Sequence, residues 1–226
     1  MSGEFSGRHI VITGATGELG AVVARELLDA GATVHVPARD PRKVESRARA
    51  VLVPDLSDET AVAGFYAALP PLWASIHCAG GFAMSKIDDT SLSDFRKMFD
   101  MNTLSAFLCC REAVKAMRGR GGRIVNVASQ QALEPRRGSG TAAYTASKAA
   151  VAAMTVAIAE EVAPEGIWVN AVVPSIMDTE ANRRAMPKAD HSNWPKLDEV
   201  AATIVFLASP GNAATRAALV PVYGKS

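Results

Sequence analysis

The chain has 226 residues, of which 49% are hydrophobic and 21% are charged, and its formal net charge at pH 7 is +1. This composition is typical of a folded globular chain and excludes intrinsic disorder, and the length suits one α/β domain better than two. The mixed charges give no basic surface for nucleic acid, so we expect a small molecule as the partner.

The start of the chain, MSGEFSGRHIVITG, lacks the charged and long apolar regions of a secretory signal. No apolar run reaches the roughly 18 residues that a membrane span requires. We therefore expect a cytoplasmic protein with no membrane partner. The histidines and cysteines are scattered without metal-ligand spacing, so the sequence predicts no metal site.

Short apolar runs rich in β-branched residues alternate with longer helical patterns, which is typical of βαβ units. The predicted strands are HIVIT, TVHV, AVLV, WASIH, GRIVNVA, GIWVNAVV and ALVPV. The predicted helices lie near residues 19–30, 58–68, 92–117, 142–163 and 197–208. The right-handed crossover rule then predicts a Rossmann-type, doubly wound parallel α/β sheet with helices on both faces, in a single domain over residues 1–226.

The first predicted strand runs into a glycine-rich turn, TGATGELG, that opens the first helix. Glycines there let the backbone approach a pyrophosphate, and the helix N-terminus offers unpaired N–H groups. The loop is thus a candidate dinucleotide site, and a turn without a ligand is the alternative. Its candidate cofactor-binding residues are Gly14, Thr16, Gly17, Glu18, Leu19 and Gly20.

The end of the second predicted strand, VPARD, bears on the choice between NAD and NADP. Ala38 stands where NAD enzymes usually carry an acidic residue, and Arg39 suits a 2′-phosphate. NADP is favoured and NAD stays possible, because Arg39 could also be a solvated surface charge. After the third strand, Asp55 could accept from the adenine amino group. Its alternative is a helix cap, a role that Ser57 or Asp58 would fill better.

Two further segments place small or reactive side chains near the predicted strand ends. CAGG ends the fourth strand, and its small residues Ala79, Gly80 and Gly81 would admit the cofactor against the sheet. YTASK puts Tyr144 and Lys148 on one face of a helix. Because a nearby cation favours the phenolate of a group whose pKa is near 10, the pair is a candidate acid–base device, with coincidence of composition as the alternative.

Seven segments, in this order, resemble the short-chain dehydrogenase/reductase family along essentially the whole chain. They are the glycine loop, DL at 55–56, AGG at 79–81, Asn102 in MNTLSAF, NVAS at 126–129, YTASK, and VNAVVP at 169–174. The resemblance implies an oxidoreductase that moves hydride between a nicotinamide cofactor and a small carbonyl or alcohol substrate. Tyr144 would then give or take the proton.

The resemblance also implies roles for residues near the tyrosine. Lys148 would bind the nicotinamide ribose, Ser129 would hydrogen-bond the reacting oxygen, and Asn102 would anchor a water that relays protons. For Ser129 the alternative is a hydroxyl that caps the strand end, and for Asn102 it is a buried amide that pairs with the backbone.

The remaining cofactor contacts lie at the edges of the motifs. By resemblance, Leu56 and Pro174 would line the cofactor, and Thr179 could reach its carboxamide or cap a short helix. The segment at 174–195 follows a strand and is too polar for the core, so it is a candidate substrate lid.

Two alternatives stay open for the function. The stretch DTEANRRAMPKADHSNW is similar to the corresponding part of dihydropteridine reductase, a short relative within this family. A dihydropterin is therefore an alternative substrate. The same fold could instead sense NADP without catalysis. In either case the apolar helices at 92–117 and 142–163 predict a homodimer or homotetramer, with burial inside one chain as the alternative.

Overall fold

The computed structural model describes residues 3–226, and all seven predicted strands are present in it as one parallel sheet. The strand order is β3-β2-β1-β4-β5-β6-β7. Their bounds are β1 His9–Thr13, β2 Thr33–Ala38, β3 Arg49–Leu52, β4 Leu72–His77, β5 Gly122–Val127, β6 Ile167–Pro174 and β7 Leu219–Val222. The Rossmann-type doubly wound sheet predicted from the sequence is confirmed.

Eight α-helices connect these strands in the described part of the chain. They are α1 Glu18–Asp29, α2 Glu59–Ala67, α3 Leu92–Met98, α4 Ser105–Met117, α5 Gln130–Leu133, α6 Ala142–Val162, α7 Glu180–Ala185 and α8 Leu197–Ala208. The short helix α5 was not predicted, and α7 was foreseen only through the capping alternative for Thr179, because four and six residues are too few for a helical apolar pattern.

The helices cover both faces of the sheet because successive strand residues point to opposite sides. Within β1, Ile10 and Ile12 pack with α1 and α8, whereas Val11 packs on the other face with α2, α4 and α6. Strand order reverses at the β1–β4 pair, so the chain leaves these two strands in opposite directions. Ligands bind in the crevice at such a switch point.

The predicted helix at 92–117 is in fact two helices joined by a π-helical turn, Phe99–Leu104. Asn102 lies inside this turn and is almost fully buried. A π-helical turn inserts one residue into the helical repeat, and such turns are frequent at functional sites. The helical range predicted at 92–117 is present, but the π-helical turn inside it was not predicted, because the apolar periodicity continues on both sides of the turn.

The predicted lid is more ordered than its polar sequence suggested. Strand β6 extends to Pro174, so the segment that crosses from β6 to α8, called the crossing segment below, begins at Ser175. Asp178 forms an isolated parallel bridge with Lys196, and Trp194 is buried. The bridge joins the two ends of the segment to each other, and the buried Trp194 packs its second half into the domain.

One helical stretch, Ala142–Glu165, is long and apolar enough by length and composition to cross a membrane. In the fold this helix packs against β5, β6 and α4, and a core helix passes the same test.

Candidate active site

The glycine loop is shaped by backbone packing at its first and last glycines. Gly14 has φ of +71°, and a Cβ there would lie 2.6 Å from the backbone nitrogen of Ala79. A Cβ on Gly20 would overlap the carbonyl oxygen of Gly14. Only glycine therefore lets the loop close against the end of β4 and the start of α1.

The N-terminus of α1 faces this loop without a side-chain cap. Gly17 is the N-cap residue, and it offers no oxygen for the first N–H groups of the twelve-residue helix. Unpaired N–H groups and the positive end of the helix dipole are what an anionic pyrophosphate requires. Glu18 is exposed, whereas Leu19 is buried in the core, so its side chain faces away from the loop surface.

A cleft of about 810 Å³ opens at the carboxyl ends of β1, β2 and β4. Eight of the sequence-predicted cofactor residues line it: Gly14, Thr16, Gly17, Arg39, Asp55, Leu56, Ala79 and Gly80. The cleft is large enough for much of a dinucleotide. These residues come from separate turns along the sheet edge, and the fold brings them together.

The outer end of the cleft carries the residues expected to select the cofactor. Ala38 is buried at the end of β2 and contributes no carboxylate, and Arg39 lines the cleft beside it. The Asp55 carboxylate accepts from the Ser57 backbone and hydroxyl at 2.8 and 2.7 Å. These bonds, opposed by desolvation and assisted by Arg39, hold the pKa of Asp55 below its usual value. Asp58, not Asp55, caps α2.

Lys148 and Asn102 meet the glycines of the CAGG turn at the inner end of the site. The Lys148 Nζ donates to the carbonyl oxygen of Val127 at 2.8 Å. The Asn102 amide exchanges two hydrogen bonds with the Gly81 backbone, at 2.8 and 3.1 Å, and donates to Ser147 Oγ at 3.0 Å. A Cβ on Gly80 would lie 2.6 Å from Asn102 Oδ1 and 3.3 Å from Lys148 Nζ, so the turn needs glycine there.

The Asn102 side chain is thus a buried amide paired with the backbone, which is the alternative that the sequence analysis offered. Both of its N–H donors are used. The amide links the π-helical turn to the turn after β4 and to Ser147 on α6, and it therefore fixes the backbone next to Lys148.

Tyr144 and Ser129 face each other from the first turn of α6 and the end of β5. The Ser129 hydroxyl interacts with the phenol and lowers its pKa, but the contact is no full hydrogen bond, because Ser129 Oγ is buried without a hydrogen-bond partner among residues 3–226. Phe82 packs edge-on against the Tyr144 ring, with centroids 4.9 Å apart, and is largely exposed. An unpaired buried hydroxyl is costly unless something else hydrogen-bonds to it.

The pKa values in the site run against one sequence expectation. Burial raises the pKa of the Tyr144 phenol, and Ser129 offsets this only in part. Burial also lowers the pKa of Lys148 to about 8, opposed by the Cys78 thiol. The expectation that Lys148 lowers the phenol pKa is therefore not met by the protein chain alone, because burial is the largest effect on the phenol and Ser129, not Lys148, is the group that lowers its pKa.

Eight of the sixteen predicted cofactor residues do not line the cleft: Glu18, Leu19, Gly20, Gly81, Tyr144, Lys148, Pro174 and Thr179. Thr179 accepts from the Asn182 backbone at 3.1 Å and caps α7, which is the alternative the sequence offered. Pro174 is buried at the end of β6, and Gly81 lies beyond the cleft wall, where a Cβ would overlap the Met101 side chain.

Sequence reasoning missed several cleft residues on α3 and the π-helical turn. Arg96, Lys97, Asp100 and Met101 line the wall opposite the glycine loop. No sequence signal gave their position, since it depends on how α3 docks against the sheet edge. Cys78 also lines the cleft, and burial raises the pKa of its thiol to about 12.

No group of three or more His, Cys, Asp or Glu side chains within residues 3–226 could hold a metal ion. The geometry is instead that of a cleft at the carboxyl edge of the sheet, and its wall residue Gly80 adjoins the buried Lys148. Tyr144 precedes Lys148 by one turn of α6 and is partly buried. This combination defines a dinucleotide-binding α/β protein of the Rossmann class.

Residues 8–190 match the family model of the short chain dehydrogenases, and the chain belongs to that family. It is 33% identical over 203 residues to a 3beta-hydroxysteroid dehydrogenase of Mediterraneibacter gnavus, covering 82% of this chain and 71% of that one. It is 30% identical over 224 residues to the 3-oxoacyl-[acyl-carrier-protein] reductase FabG of Rickettsia bellii, covering 91% of each chain.

Two solved structures have the same fold. A short chain dehydrogenase/reductase family protein superimposes with a TM-score of 0.89 at 29% identity, covering 98% of this chain and 97% of the other. ElxO with NADP bound superimposes with a TM-score of 0.86 at 25% identity, covering 96% and 97%.

Proposed function

We propose that the protein is an NADP-preferring oxidoreductase that interconverts a small carbonyl compound and its alcohol, with Tyr144 as the general acid–base. The observation that carries the proposal is the Ser129 hydroxyl, which is buried beside the Tyr144 phenol without a hydrogen-bond partner among residues 3–226. The buried Lys148 donates to the carbonyl of Val127, two residues before Ser129. A substrate oxygen would give the Ser129 hydroxyl its missing partner.

The residues along the cleft fit a nicotinamide dinucleotide. The tight backbone of Gly14 and the uncapped start of α1 suit a pyrophosphate, and Lys148 at the inner end suits a ribose hydroxyl. When bound, the nicotinamide supplies or accepts the hydride. Cofactor-bound ElxO and the relative named NADPH-dependent aldehyde reductase-like protein from Arabidopsis thaliana, 29% identical over 255 residues, support this assignment.

The protein side chains would handle the proton and the oxygen. Ser129 would donate a hydrogen bond to the carbonyl oxygen, and the Tyr144 hydroxyl would give that oxygen its proton during reduction. Because burial keeps the phenol protonated at neutral pH, Tyr144 is ready to act as the acid. In the reverse direction the phenolate would take the alcohol proton, and the Lys148 ammonium would stabilise it.

A turnover assay tests the proposal. NADPH oxidation is followed with a panel of ketones, diketones, aldehydes and quinonoid dihydropterin. We expect Tyr144→Phe to lower kcat by roughly 100-fold or more while the Kd for NADPH changes little, because only the proton transfer is removed. Tyr223→Phe is the matched control, since it removes a phenol outside the proposed machinery and should keep its activity.

Two alternatives predict different results in the same assay. A protein that only senses NADP would bind NADPH and turn over no member of the panel. Turnover confined to dihydropterin would favour the reading based on the resemblance to dihydropteridine reductase. Equal rates for Tyr144→Phe and wild type would refute the role proposed for the phenol.

A further inference from the structure

Two arginines share one indole at the amino end of the sheet, opposite the nucleotide cleft. Arg8 directly precedes β1, and its guanidinium carbon lies 3.8 Å from the centroid of the Trp73 ring in β4. The guanidinium of Arg123 in β5 lies 5.1 Å from the same ring and 5.8 Å from Trp168 in β6. Four neighbouring strands thus bring two cations and two indoles together.

The two indoles are fixed in place. Strand pairing slips at Trp73, since His9 pairs with Leu72 and Ile10 with Ala74, so Trp73 is the extra residue of a bulge. Its Nε1 donates to the carbonyl oxygen of Ala208 at the end of α8. The Nε1 of Trp168 donates to the carbonyl oxygen of Ala213 at 3.1 Å. The cluster is therefore a preformed surface of rigid rings.

The charges in the cluster are left without anions. Arg123 is only 8% exposed, and its Nη1 donates to the carbonyl oxygen of Gly122 at 2.9 Å. Its Nε is buried without a hydrogen-bond partner in the described part of the chain. Neither Arg8 nor Arg123 forms an ion pair within residues 3–226. Burial lowers the pKa of Arg123, and the positive charge of Arg8 lowers it further.

Nearby negative groups do not balance two guanidiniums. The carboxyl end of α8 carries about half a negative charge at most. Glu4 lies close by, with its carboxylate 3.8 Å from the position of a Cβ on Gly211, just beyond α8, but it pairs with neither arginine. A buried, unpaired cation is costly, so a counter-anion at this place is favourable.

We propose that Arg8 and Arg123 bind a tetrahedral oxyanion, phosphate or sulfate, at the amino end of the sheet. Guanidinium groups present forked N–H donors that match such oxygens, and stacking on Trp73 holds both forks in position. The site is separate from the nucleotide cleft, because the five residues of β1 span about 16 Å between them. Binding there stabilises the folded chain independently of the cofactor.

The test is a titration with inorganic phosphate at constant ionic strength, followed by calorimetry and by the melting temperature. Saturating NADPH is present in one series, so that phosphate binding in the nucleotide cleft is displaced. We expect saturable binding in both series and a rise in melting temperature that follows it. Arg123→Met should weaken phosphate binding by about tenfold or more.

Two further variants and a control sharpen the result. Arg8→Gln, at a less buried position, should also weaken binding and serves if Arg123→Met does not fold. Glu4→Gln removes a carboxylate beside Gly211, just beyond α8, and should tighten phosphate binding. Arg25→Met, which removes an exposed arginine paired with Asp198, should bind as wild type does. Unchanged affinity in both Arg123→Met and Arg8→Gln, or no binding in wild type and Glu4→Gln, would overturn the proposal.

Discussion

Lys148 is a buried lysine whose surroundings favour the loss of its proton. Its Nζ has one hydrogen bond, to the Val127 carbonyl, and burial lowers its pKa to about 8. The ammonium and the neutral amine are thus both accessible near physiological pH. The positive charge that the proposed chemistry uses therefore depends on pH near neutrality.

The first prediction at this scale is a pH profile. A folded pKa near 8 lies below the unfolded value near 10.5, so Lys148 is charged below about pH 8 and loses its proton above it. The Tyr144 phenol, with its raised pKa, stays protonated over this range. We expect kcat/KM for carbonyl reduction to be flat from about pH 6 to 7.5 and to fall above about pH 8. Lys148→Arg should move the fall to higher pH, and a profile unchanged by this substitution would contradict the assignment.

Arg39 gives a second prediction at the residue scale. Its guanidinium lines the cleft beside Ala38, whose side chain carries no carboxylate to oppose a 2′-phosphate. Arg39→Asp should lower kcat/KM with NADPH by roughly 100-fold and raise the NADH-to-NADPH preference, because a charge attraction becomes a repulsion. The ratio of the two kcat/KM values measures this. A wild type that already prefers NADH would show that Arg39 is a solvated surface charge.

At the scale of elements, a buried polar chain connects two strands and two helices beneath the site. Tyr66 on α2 donates to Ser75 on β4, and Ser75 donates to His77 Nε2. His77 Nδ1 donates to Asn126 on β5, whose amide donates to Thr155 on α6. The direction of each bond follows from a neutral imidazole, since burial lowers the His77 pKa to about 4.

This series of buried hydrogen bonds predicts that the folded protein loses stability in acid. Its imidazole is neutral in the fold but titrates near 6.5 when unfolded, so its contribution is complete above pH 6.5 and is lost as pH falls toward 4. The free energy of unfolding should fall between pH 7 and pH 4.5, and we expect this fall to be smaller by about 2 kcal/mol in His77→Gln than in wild type. Urea unfolding at each pH measures the difference. His191→Gln, in the crossing segment, is the control and should lose as much as wild type does.

The sequence predicted the strands well and the junctions poorly. Runs such as HIVIT and GIWVNAVV are apolar because both faces of a parallel strand are covered, and that pattern is local. The π-helical turn depends on the bonds from Asn102 to Gly81, 21 residues away, which no local pattern encodes. In the same way Gly14 and Arg39 follow from their places in βα turns, whereas Arg96 lines the cleft only through the docking of α3.

At the scale of the molecule, we propose a homo-oligomer built through α4 and α6. These helices expose large apolar side chains, among them Phe107 at 43% and Val156 at 36%. Phe107→Glu should convert a dimer to a monomer, or lower the order of a tetramer, because a carboxylate would have to be desolvated in the contact. Light scattering measures the mass.

Phe206→Glu is the matched control for this prediction. Phe206 is exposed on α8, across the sheet from α4 and α6, so its substitution should leave at least the dimer intact. A wild type that is monomeric at micromolar concentration would mean that these helices simply tolerate exposed apolar residues.

The three cysteines matter for handling the protein in the laboratory. Cys78, Cys109 and Cys110 are free, and burial raises the pKa of each thiol to about 12. Maleimides and dissolved oxygen attack thiolates, which are then scarce at neutral pH. A fluorophore could therefore be attached to a single cysteine engineered on the exterior without replacing the native ones, and storage without a reducing agent should leave the preparation intact.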